Sequence, residues 1–291
     1  MNIVYLNGKF IPQEQATVSI TDRGFLFGDG VYESIPVYEG HIFSLKQHLD
    51  RLKRSLAAIK MTPPLSDEEW HRVLHQLLEK NNKKNTDQSF YIQITRGSHP
   101  ERNHAIPKNI PPTVMALCLP PKNTPRDRLA AGLSAITLED RRRKDCYVKA
   151  INLLPNILAY EEAHQAGSAE AILIRNGEAL EGTSSNLFIV KDGVIQTPPL
   201  SHQILAGVTR GFILEWARQS NIPYQEKSIP EALLFSADEI WLTGSLKEIY
   251  PIVRLNNKPI GNGKVGPVWH QMKDLYEKFK LVTRAADRPF E

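Results

Sequence analysis

In Asp145-Cys146-Tyr147-Val148-Lys149-Ala150-Ile151-Asn152-Leu153-Leu154, Lys149 is the only full charge between Asp145 and Glu161. The apolar run around it reads as buried. A lysine in such a run loses hydration, and desolvation favours its neutral amine by lowering the pKa. A neutral amine is a nucleophile that forms a Schiff base with an aldehyde or ketone. The alternative is a stem packed on the core with its ammonium snorkelling to water. Taken alone, the stretch fits that alternative more readily, and the choice rests on what the rest of the chain supplies.

The chain has 291 residues, enough for two domains or one large one. Its 41% hydrophobic and 23% charged content is that of a soluble globular protein. A net charge of +4 makes no case for nucleic acid or an anionic membrane. With only Cys118 and Cys146, a disulfide framework is excluded and a reducing compartment fits. No apolar run approaches the ~20 residues of a membrane span. The first residues read as a strand and not as a signal peptide. A cytoplasmic enzyme with no metal site is the expectation.

Working outward, Asn7-Gly8 between two β-prone runs predicts a hairpin through a type I′ turn. In Asp22-Arg23-Gly24-Phe25-Leu26-Phe27-Gly28-Asp29-Gly30-Val31-Tyr32-Glu33, three glycines predict tight turns or close backbone approach. No phosphate-loop pattern is present. Tyr32 is as well explained as an ordinary strand aromatic. Residues 44–60 predict an amphipathic helix on Leu45, Leu49, Leu52, Leu56 and Ile59. Arg51 falls off that stripe and by itself is a solvated charge. Ser66 with Glu69 predicts a capping box for a second helix, with Trp70, Val73, Leu74, Leu77 and Leu78 inward. Strands are expected at 90–95 and 113–119, joined by a loop rich in cations, among them Arg96, His99, Arg102 and His104.

The proline-rich 121–125 segment is taken as a linker between domains 1–120 and 126–281, with 282–291 a frayed polar tail. In the second half, strands are expected at 171–174 and 186–190, with turns at Asn176-Gly177 and Asp192-Gly193. Helices are expected at about 155–166, 209–220 and 268–280, the first ending at Gly167. Two α+β domains follow. Glu181-Gly182-Thr183-Ser184-Ser185-Asn186 offers a carboxylate beside hydroxyls. Gly207-Val208-Thr209 precedes a helix, where free N–H groups suit phosphate. Each element alone is equally an ordinary turn or cap.

Together and in this order the elements resemble the class IV (fold type IV) aminotransferases that use pyridoxal 5′-phosphate (PLP). The likeness runs from Tyr5 to about Lys280. Its landmarks are Phe27-Gly28-Asp29-Gly30-Val31-Tyr32-Glu33, His48-Leu49-Asp50-Arg51-Leu52, Lys149 with Asn152-Leu153-Leu154, Glu181 through Asn186, and Gly207-Val208-Thr209-Arg210. Within the family these are most similar to the D-amino acid aminotransferases. The resemblance implies a smaller N-terminal α/β domain, a larger C-terminal domain with a β-barrel-like core, and the cofactor at the domain interface. It implies a homodimer with active sites shared across subunits.

By the same resemblance Lys149 is the Schiff-base lysine, Glu181 faces the pyridine nitrogen and Arg51 binds the phosphate. Val208, Thr209 and Ser245 add phosphate contacts, and Leu205 packs behind the ring. Tyr32, Arg102 and His104 form a trap for the substrate carboxylate, the last two reaching in from the partner subunit. The implied reaction moves the amino group of D-alanine, or another D-amino acid, to 2-oxoglutarate. Branched-chain L-aminotransferase and aminodeoxychorismate lyase share the fold, and cofactor binding without turnover is a third reading. Two departures stand out. Gly244-Ser245-Leu246-Lys247 replaces a hydroxyl-rich turn, and the Pro100–His104 loop is one residue longer.

Overall fold

The computed structural model describes residues 2–121 and 124–286, so Lys122 and Asn123 of the expected linker and residues 287–291 of the expected tail lie outside the described residues. The chain divides into two compact units. One comprises Met1–Pro121 with Val148–Asn152, and the other Lys122–Tyr147 with Leu153–Ala285. The segment around Lys149 therefore returns to the first unit, although the sequence reading placed it in 126–281.

Among its described residues the first unit is built on a six-stranded sheet of β1 (Ile3–Leu6), β2 (Lys9–Pro12), β3 (Gly30–Tyr38), β4 (His41–Ile42), β5 (Gln88–Thr95) and β6 (Thr113–Leu119). The order is β2-β1-β6-β5-β3-β4, and every pairing is antiparallel. Asn7 and Gly8 both take positive φ, 47° and 87°, as the predicted hairpin turn requires. Helices Leu45–Ala58 and Asp67–Lys80 supply Leu49, Leu52, Leu56, Trp70, Leu74 and Leu77 to a core with Ile35, Phe90 and Ile92. The second helix opens on the predicted capping box, Glu69 N–H donating to Ser66 Oγ and Ser66 N–H to the Glu69 carboxylate. Each such buried leucine or isoleucine stabilises the unit by about 1.5–3 kcal/mol.

The second unit carries β7 (Leu133–Glu139), β8 (Glu170–Arg175), β9 (Glu178–Gly182), β10 (Asn186–Lys191), β11 (Val194–Thr197), β12 (Tyr224–Glu226), β13 (Glu239–Gly244), β14 (Glu248–Leu255) and β15 (Lys258–Pro259). Their path runs β12-β11-β10-β13-β14-β7-β8-β9, and a further pairing of β9 with β10 joins Glu181 to Asn186. That pairing closes β10, β13, β14, β7, β8 and β9 into a six-stranded barrel. Leu133, Ile172, Leu187, Ile189, Ile240 and Ile252 belong to its core. Helix Leu154–Gln165 ends two residues before Gly167, which takes the left-handed φ of 71°. Helix Pro267–Ala286 continues six residues past the expected end at 280 and occupies the start of the expected tail.

Candidate active site

The first unit assembles one set of the expected residues. Val148–Ile151 lies along β3: Tyr32 N–H donates to Lys149 O at 3.0 Å, Ile151 N–H to Gly30 O at 3.1 Å, and Val31 bridges Ala150. Gly28, at φ 67°, lets the chain pass Asn152, because a Cβ there would come within 2.9 Å of the Asn152 Cβ. This pairing sets Lys149 Nζ 4.1 Å from the centroid of the Tyr32 ring. Val148 and Ala150 are buried, but Lys149 itself is half-buried. The fully apolar burial expected for it is corrected: alternation along the extended segment turns Lys149 away from the core that its neighbours enter.

Arg51 is the second correction, since it is 4% exposed and not a solvated charge. It donates from Nε to Glu33 Oε1 at 2.7 Å and from Nη2 to Glu33 Oε2 at 2.8 Å. His48 Nδ1 lies 2.8 Å from Glu33 Oε2. The reason is helical spacing: His48, Arg51 and Ser55 form a polar stripe beside the apolar one, on which His48 and Arg51 meet the buried Glu33 of β3 and Ser55 Oγ accepts from Lys149 N–H at 3.3 Å. Burial alone would raise the Glu33 pKa, but the Arg51 guanidinium and the His48 ring hold it far below the carboxylate range. Burial pushes His48 down, against the pull of Glu33. Its Nε2 is buried with no hydrogen-bond partner among the described residues.

Arg102 and His104 are exposed and sit on Phe27, the Arg102 Cζ 4.9 Å from its centroid and the His104 ring at 5.4 Å. Tyr32 packs instead on Tyr91 and Lys149.

The second unit places Glu181 at the barrel closure, 5% exposed. Its Oε2 accepts from Leu205 N–H at 3.1 Å and Asn186 Nδ2 at 3.2 Å, and its Oε1 accepts from Arg142 Nη1. Burial raises the Glu181 pKa, with Arg142 and the Leu205 N–H opposing. Arg142 is itself held by Asp140, Nε to Oδ1 at 2.8 Å. These two residues also line a cavity of about 710 Å³ with Arg175, His202 and Gln203. Arg142 was missed in the sequence because it stands in a run of three arginines, where a solvated charge is the ordinary reading.

Helix Val208–Gln219 starts at Gly207 with no side-chain cap, so its first N–H groups lack partners within the helix. A Cβ at Gly207 would fall 1.9 Å from Asn186 Oδ1, which ties that helix start to the Glu181 strand pair. Ser245 lies half-buried in the turn Gly244–Lys247, closed by Lys247 N–H on Gly244 O at 3.1 Å. Lys247, the departure noted in that turn, pairs with the buried Glu170 and donates to Ser184 Oγ at 2.9 Å. On its other side Glu248, at φ 58°, is held by Lys273 and Lys280 of the last helix.

Residues 30–255 match the family Amino-transferase class IV. The chain belongs to the class IV aminotransferases. It is 39% identical over 280 residues to the D-alanine aminotransferase of Staphylococcus haemolyticus, covering 96% of this chain and 98% of that one. Among solved structures, it is similar to the branched-chain aminotransferase of Thermoproteus uzoniensis with norvaline, at 28% identity and a TM-score of 0.88, covering 97% and 95%. It is likewise similar to the T.th. branched-chain amino acid aminotransferase with pyridoxamine 5′-phosphate, at 27% identity and a TM-score of 0.84, covering 95% and 93%.

This class IV chain is a PLP-dependent aminotransferase, as the family and its relatives indicate. When bound, PLP supplies an aldehyde for a lysine amine and a ring that acts as an electron sink. The residues present fit that group. A buried carboxylate at Glu181 suits a ring nitrogen that must stay protonated, and an uncapped helix start at Gly207 suits a phosphate.

Proposed function

We propose that the enzyme moves the amino group of D-alanine, and of other D-amino acids, to 2-oxoglutarate. The observation that carries this reading is Tyr32 beside Lys149 together with Arg102 and His104 on one loop, both against Phe27. The 39% identity to a D-alanine aminotransferase supports it, against lower identity to the branched-chain enzymes. Lys149 would form the covalent link to PLP and then carry the proton on and off the substrate Cα as base and acid. Glu181, held by Arg142, Asn186 and the Leu205 N–H, would keep the ring nitrogen protonated. Leu205 would pack behind the ring. Arg51, the Val208 and Thr209 N–H groups and Ser245 would take the phosphate. Arg51 meets Glu33 along one edge of its guanidinium, and a fork so anchored presents its donors in a fixed plane.

Tyr32, Arg102 and His104 would hold the α-carboxylate. Arg102 can grip a carboxylate bidentately, with hydrogen bonds added by the imidazole and the phenol. A carboxylate pinned there aims the Cα–H of a D-amino acid at Lys149, whereas an L-amino acid would present its side chain. In their own chain Arg102 and His104 rest on Phe27; by the family resemblance they would reach Tyr32 of a second copy, making a homodimer with shared sites. Leu154, Ile157 and Leu158 support that assembly: each is at least 60% exposed on one helix, an apolar face that a second copy would cover. Both cysteines are unpaired, and among the described residues no helix is long and apolar enough to cross a membrane. A cytoplasmic enzyme fits both. The test is chiral analysis of product from D-alanine and 2-oxoglutarate: pyruvate and D-glutamate are expected, and L-glutamate formed from L-leucine at an equal rate would favour the branched-chain reading.

A further inference from the structure

The loop that carries Arg102 and His104 is fixed from beneath by a short chain of contacts. Phe27 meets two guanidinium groups, those of Arg23 and Arg102, each with Cζ 4.9 Å from the ring centroid. The His104 ring lies 5.4 Å from the same ring at an interplanar angle of 58°. Arg23 also donates from Nη1 to the Asn103 carbonyl at 2.6 Å, so it grips the backbone between the two carboxylate-binding candidates. Its Nε is spent on Asp29 Oδ2 at 2.8 Å, and Asp29 is gripped again by Arg96 at 2.8 and 3.0 Å. Arg23 is 5% exposed and Arg96 7%, so the base of this arrangement is rigid while the loop above it is solvated. Asn103 completes the hold: its N–H donates to Glu101 O at 3.0 Å, and its Oδ1 accepts from Ala105 N–H at 2.9 Å.

We propose that Phe27 and Arg23 are positioning residues for substrate carboxylate recognition, a platform that holds Arg102 and His104 in one fixed geometry. The inference rests on Arg102 and His104 being carboxylate ligands, and it names what makes them selective. Two exposed cations on a longer loop would otherwise sample many rotamers, and ordering them on binding would cost affinity. An aromatic face attracts a guanidinium without using its hydrogen-bond donors. Arg102 therefore keeps its fork for the substrate while its plane is already set. The Arg23 bond to the Asn103 carbonyl holds the backbone between the two ligands.

Three variants of the holoenzyme, Phe27→Leu, Phe27→Tyr and Arg23→Gln, test this. Hydrogen exchange over residues 101–105 reads the platform itself, whatever the substrate. Faster exchange at the Asn103 and Ala105 amides is expected in Phe27→Leu and Arg23→Gln, and near-parental exchange in Phe27→Tyr. The half-reaction reads the platform's use. Phe27→Leu should raise the half-saturating D-alanine concentration ~3–10-fold with little change in limiting rate, and Phe27→Tyr should restore it. D-alaninol, with a hydroxymethyl group in place of the carboxylate, should saturate alike in all three. Unchanged exchange in Phe27→Leu overturns the platform. Faster exchange with unaltered D-alanine saturation, or an equal loss with D-alaninol, overturns its role in recognition. If Arg102→Ala matches the parent on D-alanine, the carboxylate reading of Arg102 fails and takes that role with it, while exchange still decides whether the loop is held.

Discussion

Glu33 holds Arg51 through both carboxylate oxygens, Oε1 on Nε at 2.7 Å and Oε2 on Nη2 at 2.8 Å, with the pair buried between β3 and helix Leu45–Ala58. Breaking a buried pair from one side leaves an uncompensated charge, so Glu33→Gln should destabilise the protein by about 3 kcal/mol or more. The sign of the pH dependence follows from the depressed Glu33 pKa. Its contribution is full above the ordinary carboxylate value of about 4.3 and is lost as pH falls through the folded-state value. Urea unfolding should show a parental advantage over Glu33→Gln that is flat between about pH 5 and 7 and narrows below about pH 4. An advantage that instead grows in acid would remove Glu33 as the anchor of Arg51.

Lys149 sits 4.1 Å from the Tyr32 ring centroid on a segment bonded to β3. Lys149→Ala should leave the fold intact, because the strand bonds use backbone groups. The variant should lose the cofactor link that borohydride fixes in the parent, and transamination should collapse. A borohydride-fixed cofactor on another residue of the variant would end the assignment of Lys149.

Glu181→Gln keeps the shape of the side chain and removes its charge. Cofactor binding should largely survive through the phosphate end, while kcat falls by ~10²–10³-fold, as for loss of a main electrostatic stabiliser. An unchanged kcat would place Glu181 away from the ring.

Arg102→Ala should raise KM for amino and keto acids together, on the order of 10–100-fold, because their shared carboxylate loses a charge-assisted partner. Equal KM values in parent and variant would return Arg102 to the status of a loop charge.

Local features of the fold were legible because their causes are local. The Asn7-Gly8 turn needs positive φ at two adjacent residues, and the Ser66–Glu69 box needs two hydrogen bonds three residues apart. The inward stripe of helix Asp67–Lys80 follows from its 3.6-residue period. What escaped depends on distant parts of the chain. Val148–Asn152 joins the first unit through a bridge from Ala150 to Val31, more than a hundred residues earlier. Arg51 is buried because Glu33, on another element, faces it. Arg142 looks like one of three solvated arginines until Asp140 and Glu181 are placed around it. A barrel-like core is implied only by family resemblance, and its closure through Glu181 and Asn186 has no sign in the sequence, since a single residue pair leaves no periodic trace.

Handedness is the central claim, and a single-turnover spectrum tests it most directly. The holoenzyme is mixed with D-alanine or with L-alanine, no keto acid being present, and the visible absorbance of bound cofactor is followed. The account predicts rapid conversion to the amino form of the cofactor with D-alanine, pyruvate released in equal amount, and little change with L-alanine over the same time. Conversion by L-alanine as fast as by D-alanine, or by L-alanine alone, would contradict it.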